Sequence, residues 1–261
     1  MKERIKAQAF SSPILSAISA ALFAVVIFSV PGLFDVQDNA LFVLNIVCRT
    51  VAAMSALILA KICGFKLFNK PKTTVSAGLL FCLGLIVCVN NFPVIGFITG
   101  EVRLLNNPEI VKYLCYCAAI GVAEELAFRG FVMPLVGFGL RDKNHAAFWT
   151  VVVSAAIFSL CHLFNIFSAG VAPVLLQVGY TFLTGCLFGA VYLFTENIIF
   201  PILLHTVYDV GGLIFAAPFG IAAGNMWDRY TVIITAVLGL ITAAVFAVKL
   251  WNYKADGKSQ G

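Results

Sequence analysis

The chain has 261 residues, of which 61% are hydrophobic and 11% charged, and its mean hydropathy is +1.00. A water-soluble domain carries roughly a quarter charged residues, and one core cannot hide this much apolar surface because surface does not shrink fast enough with size, so a lipid bilayer is the implied solvent. The net charge of +5 comes with no basic patch interleaved with aromatics, which excludes nucleic acid as a partner, and the eight cysteines show no CxxC or Cys/His finger spacing, which argues against a disulfide framework or a structural zinc site.

A helical span needs about 20 mostly apolar residues. The sequence predicts an all-α polytopic transmembrane bundle of about eight spans. They run from Pro13 to Phe34, Ala40 to Ala60, Val75 to Thr99, Ile110 to Val136, Ala146 to Phe167, Ala172 to Thr195, Asn197 to Ala217 and Tyr230 to Tyr253. Lys2, Arg4 and Lys6 precede the first span like a signal-peptide basic region. Apolar sequence continues to Val30 without a convincing cleavage site, so an uncleaved first span is expected. The second span carries Arg49, with Asn45 one turn before it, as a neutraliser of a buried acid or as a structural clasp. In the third and fourth, Pro93 and Pro134 are each expected to bend or end a helix. No soluble domain is left over, so residues 1–261 read as a single transmembrane domain.

The basic residues orient this layout. With the N-terminus inside, the cytoplasmic segments hold Lys2, Arg4, Lys6, Lys61, Lys66, Lys70, Lys72, Arg141, Lys143, Lys249, Lys254 and Lys258. The outer segments hold only Arg103, Lys112 and Arg229. Basic residues concentrate in cytoplasmic loops, so N-in and C-in termini are expected. His145, beside Lys143 and Asn144, reads as a solvated loop residue.

Charged groups at bilayer depth are costly, so they face a cavity or one another and point to function. They concentrate on three spans: Glu124, Glu125 and Arg129 on the fourth, Phe158 and His162 on the fifth, His205 and Asp209 on the seventh. Glu125 and Arg129 are i,i+4 and can pair. Glu124 points about 100° away and is the acid left free. His205 and Asp209, also i,i+4, present an imidazole and a carboxylate on one face. A carboxylate with two imidazoles in a wet pocket is a kit for hydrolysis, in which the acid takes a proton from water and an imidazole orients that water or binds a metal. The alternatives are a polytopic transporter with Glu124, Arg129 and Asp209 as an ion relay, or a catalytically silent immunity or scaffold protein. Paired broken helices or an inverted repeat would mark transport, and neither is evident.

Glu124-Glu125-x-x-x-Arg129, Phe158-x-x-x-His162 and His205-x-x-x-Asp209, in this order on three helices, resemble the signature motifs of the CPBP family. These are the CAAX proteases and bacteriocin-processing enzymes, also called the Abi or type II CAAX protease family. The resemblance covers roughly residues 110 to 215. It implies a multi-pass intramembrane endopeptidase of the metallo- or glutamate type, in the plasma membrane if the source is bacterial. It further implies that Glu124 activates water with His162 beside it, and that His205 and Asp209 hold the water, a metal or the oxyanion. Glu125, Arg129 and Phe158 would support them. Zinc or another divalent metal is the implied candidate cofactor, with Glu124, His162, His205 and Asp209 as its ligands. The implied partner is a membrane-embedded or lipidated peptide, among them prenylated CAAX tails, bacteriocin-type peptides and membrane-anchored regulators.

Asp209 departs from the pattern, since many members carry Asn there. An amide donates a hydrogen bond to an oxyanion and an ionised carboxylate does not, so Asp209 is expected as a metal ligand or as the orienter of His205. The depths disagree with one shared pocket. At 1.5 Å per residue from the cytoplasmic ends, Glu124 and His162 sit about 24 Å up and His205 only about 12 Å. Either the seventh span starts above the cytoplasmic surface or Pro134 shortens the fourth.

Overall fold

The computed structural model describes residues 1–105, 109–216, 219–224 and 229–253. Lys254 and Lys258 of the basic-residue count and Ala217 at the expected end of the seventh span lie outside them. The described chain is an all-α bundle. In chain order the helices are α1 (Lys2–Ser11), α2 (Pro13–Ser29), α3 (Asp38–Cys63), α4 (Val75–Asn90), α5 (Val94–Thr99), α6 (Ile110–Ala127), α7 (Met133–Leu140), α8 (Ala146–Cys161), α9 (Ile166–Ala169), α10 (Val171–Thr195), α11 (Ile199–Gly212) and α12 (Arg229–Trp251). Strands β1 (Arg103–Leu104) and β2 (Ala222–Ala223) pair antiparallel.

Among the described residues five helical stretches are long and apolar enough to cross a membrane: Pro13–Leu33, Asp38–Cys63, Ala146–Ala169, Val171–Thr195 and Tyr230–Trp251. Lipid-facing aliphatics such as Leu22, Val47, Ile58, Leu176 and Leu240 stay exposed on the outside, as expected where the surroundings are as apolar as the core. The interior has three apolar clusters, built around α2, α3 and α6, around α4, α8, α10 and α11, and around the ends of α6 and α11.

Three expected spans differ in detail. The third breaks at Asn91–Pro93, where Pro93 has no N–H to continue the ladder. The Asn91 amide there donates to the Tyr208 carbonyl of α11 at 2.7 Å. Pro134 does not end the fourth. Residues Phe128–Val132 form a π turn, with the Met133 N–H bonded to the Phe128 carbonyl, and helix runs on from Ile110 to Leu140. The wider turn shifts the hydrogen-bond register so that Pro134 falls in the first turn of α7, where a missing N–H costs nothing.

The seventh expected span is the short helix α11, at about 21 Å too short to cross a hydrocarbon core of about 30 Å. The turn before it packs on the protein, with Thr195 3% exposed and Ile198 fully enclosed, while its first residue, Ile199, is 43% exposed. The segment after α3 wraps this turn, since Ile198 N–H bonds the Leu67 carbonyl, Lys72 N–H the Thr195 carbonyl and the Asn197 amide the Asn69 carbonyl. Irregular backbone at membrane depth is tolerated where protein satisfies it. The structure brings His205 level with Glu124, with His205 Nε2 3.7 Å from Glu124 Oε2, which removes the disagreement in depth.

Candidate active site

Helices α6 and α11 form the floor of the site. They approach closely at Gly121, where an added Cβ would stand 2.6 Å from Thr206 Oγ1 and 2.9 Å from its backbone nitrogen. No larger residue fits without parting the helices. One turn along α6, Glu125 is fully buried and Arg129 is 3% exposed. Arg129 Nη1 donates to Glu125 Oε1 at 2.8 Å. Its Nη2 donates to the Gly185 carbonyl of α10 at 3.3 Å, and the guanidinium lies over the Phe158 ring, 4.6 Å from its centre. A buried cation is held here by a carboxylate, a carbonyl and a π face, as its desolvation requires.

The same Glu125 oxygen lies 2.7 Å from His205 Nδ1. A carboxylate already paired with arginine is an acceptor, so Nδ1 donates to it, and Nε2 is the nitrogen turned away from Glu125. Orientation of His205 thus falls to Glu125 across the helix interface, not to Asp209 on its own helix. Nε2 points at two acids, with Glu124 Oε2 and Asp209 Oδ2 each 3.7 Å away. Both distances exceed a direct hydrogen bond and suit a bridging water. Glu124 is 15% exposed and Asp209 14%, so this side of the imidazole is the open one. Asp209 Oδ2 is buried and makes no hydrogen bond within the protein.

His162 stands apart from this contact set. α8 ends at Cys161, and His162 opens a 3₁₀ turn, His162–Asn165, within the apolar helical stretch Ala146–Ala169. Its Nδ1 pairs with the Phe158 carbonyl at 3.1 Å, which leaves Nε2 free. Among the described residues the histidine–carboxylate contacts of the site are made by His205, not His162. Phe158 joins the two imidazoles, with ring centres 5.0 Å from His162 and 6.1 Å from His205, both edge-on. The expected metal set of Glu124, His162, His205 and Asp209 is therefore not assembled: among the described residues no group of three or more His, Cys, Asp or Glu is arranged to hold a metal ion.

Residues outside the three motifs complete the site. Gly185 gives Arg129 its carbonyl, and an added Cβ there would press on Ala155, Arg129 and Phe158 at 3.2 to 3.4 Å. The Gly185-x-x-x-Gly189 spacing on α10 is the sequence signal for this close helix approach. Phe188 lies against His205, ring centres 5.7 Å apart. Nothing local in the sequence singles it out from neighbouring apolar residues.

Residues 106–211 match a family model described as Rce1-like, the type II CAAX prenyl endopeptidase Rce1-like group. The matched segment runs from before α6 to the last turn of α11 and contains all three motifs, and it agrees with the CPBP resemblance of those motifs. No curated protein and no solved structure matched the chain.

Proposed function

We propose, on the premise of this Rce1-like domain of the CPBP/CAAX protease family in an integral membrane protein, that the chain is an intramembrane endopeptidase using a water activated by Glu124. The observation that carries the proposal is the meeting of Glu124, His205 and Asp209 at one imidazole nitrogen, on the open side of an otherwise buried cluster. A water at this point donates one proton to Glu124 and is oriented by His205 Nε2. The oxygen attacks the scissile carbonyl as Glu124 takes the proton. Collapse of the tetrahedral intermediate breaks the C–N bond, and Glu124 returns that proton to the leaving nitrogen. Glu125 fixes the His205 ring and Arg129 fixes Glu125. His162, across the Phe158 ring, offers its free Nε2 to the reacting water. Asp209 walls the other side of the imidazole.

The proposed substrate is a membrane-embedded or lipidated peptide, because the acids stand between helices that face lipid. The test is cleavage of a lipid-embedded peptide by purified, reconstituted protein, comparing wild type with Glu124→Ala and His162→Ala. Loss of cleavage in both variants is expected, and equal activity in all three proteins refutes the proposal.

A further inference from the structure

Besides an activated water, amide hydrolysis needs a hydrogen-bond donor aimed at the oxygen on which negative charge develops. Among the described residues the buried cluster has none to spare. Glu124, Glu125 and Asp209 are acids, the Arg129 guanidinium and His205 Nδ1 are taken up by Glu125, and the remaining imidazole nitrogens serve the water. Helix α10 brings a neutral O–H to the same opening. Tyr180, Thr184 and Phe188 recur at i,i+4 on one stripe of α10, the helix that packs beside α11. At one end of the stripe the Phe188 ring lies 5.7 Å from that of His205 and 6.3 Å from that of Tyr208. At the other end the Tyr180 ring lies 6.4 Å from that of Tyr208, the residue before Asp209. Tyr180 is 38% exposed, and its hydroxyl is within electrostatic reach of both Asp209 and Glu124.

A polar relay holds this phenol from behind. Asn165 Nδ2, in the 3₁₀ turn that begins at His162, donates to Gln177 Oε1 at 3.0 Å. Gln177 and Tyr180 are i,i+3 and share a face of α10. With its carbonyl held by Asn165, the Gln177 amide turns its NH2 to the phenol oxygen. Tyr180 thus accepts from Gln177 and keeps its own proton to donate. A tyrosine needed only for its ring would not require such a relay. The attacking oxygen starts about 3 Å from the carbonyl carbon, and a donor stands about 2.7–3.1 Å beyond the oxyanion. The donor therefore belongs one carbonyl away from the acids, within their field and not bonded to them. We infer that Tyr180 is a catalytic residue whose O–H donates to the oxyanion of the tetrahedral intermediate, with Gln177 as its positioning residue. The proton stays on Tyr180 throughout.

The inference rests on the peptidase reading, and the experiment keeps their failures apart. Cleavage of a lipid-embedded peptide is compared for reconstituted wild type, Tyr180→Phe, Gln177→Leu and Tyr192→Phe. Tyr180→Phe keeps the ring and removes the hydroxyl. Its kcat is expected to fall about 10²-fold, as loss of one oxyanion donor does, with KM within about twofold because the bond is made only in the transition state. Gln177→Leu leaves the phenol in place and lowers kcat by less. Tyr192→Phe, on the same helix about 18 Å away, leaves both constants unchanged. Equilibrium binding is then measured for two N-palmitoylated dansyl peptides, one with the scissile amide and one with a phosphinate in its place, a stable tetrahedral anion. Wild type is expected to bind the phosphinate at least about tenfold more tightly than the amide. Tyr180→Phe loses that excess and binds the amide peptide as wild type does, which also shows that it is folded. A Tyr180→Phe protein that cleaves within about twofold of wild type overturns the inference, as does an equal phosphinate preference in the two proteins. A raised KM with kcat kept overturns it too, since Tyr180 would then bind the ground state. Absence of cleavage by the wild type removes the peptidase reading and the inference with it, whereas cleavage that survives Tyr180→Phe removes the inference alone.

Discussion

The pair at the base of the site makes a quantitative test of how the cluster is held. Glu125 and Arg129 are 0% and 3% exposed, and one Glu125 oxygen accepts from both Arg129 and His205. Glu125→Met removes the only carboxylate bonded to Arg129 among the described residues and strands its cation. Such a loss costs about 3–5 kcal/mol, or at least about a hundredfold in the folded-to-unfolded ratio. Arg129→Met strands the carboxylate at comparable cost. In the double variant Glu125→Met/Arg129→Met no unpaired charge remains and the volume is kept, so its cost falls below that of either single change. The assay is equilibrium unfolding in mixed micelles, read by tryptophan fluorescence. Costs that simply add would refute the claim that these two charges are mutually obligatory. Because Glu125 also aims His205, a folded Glu125→Gln protein loses about 10–100-fold in kcat, as residues that orient a working imidazole do, with unfolding cost smaller than that of Glu125→Met.

Gly121→Ala drives a methyl into Thr206 and parts α6 from α11. It should cost about 1–3 kcal/mol and lower kcat, whereas Gly179→Ala, which meets nothing within 4 Å, should leave both unchanged. If cleavage depends on Glu124 and His205 without a metal, it survives dialysis against EDTA. Loss of activity restored by zinc would contradict a metal-free reaction. The basic-residue asymmetry predicts that single cysteines at Lys70 and Asp142 label from the cytoplasmic side and one at Arg103 from the opposite side. Labelling of Lys70 and Arg103 from one side would contradict the N-in orientation.

The i,i+4 rule made the Glu125–Arg129 pair legible in the sequence, and the same rule set His205 and Asp209 on one face. Contacts within a helix follow from spacing. The bond that orients His205 comes from Glu125 on another helix, and spacing within α11 pointed to Asp209 instead. The depth conflict arose from assuming that every span begins at a membrane surface. α11 is too short for that assumption, and at its start the chain after α3 folds over and supplies backbone partners, as Leu67 does for Ile198. Pro134 was read by its local rule, which the π turn at Phe128–Val132 overrides by shifting the ladder before the proline is reached. Phe158 was marked only through a family resemblance. The structure gives it physical content as the ring that meets Arg129, His162 and His205 together.

The central claim is that Glu124 moves the proton of the attacking water. The most direct measurement is single-turnover cleavage of a lipid-embedded peptide in ¹⁸O-enriched water by wild type and Glu124→Gln, which keeps the side-chain shape and removes the base. The account predicts one solvent oxygen in the new carboxylate and a rate lower by about 10²–10⁴ in the variant. A Glu124→Gln protein that cleaves within about twofold of wild type, a difference under about 0.5 kcal/mol, would contradict it.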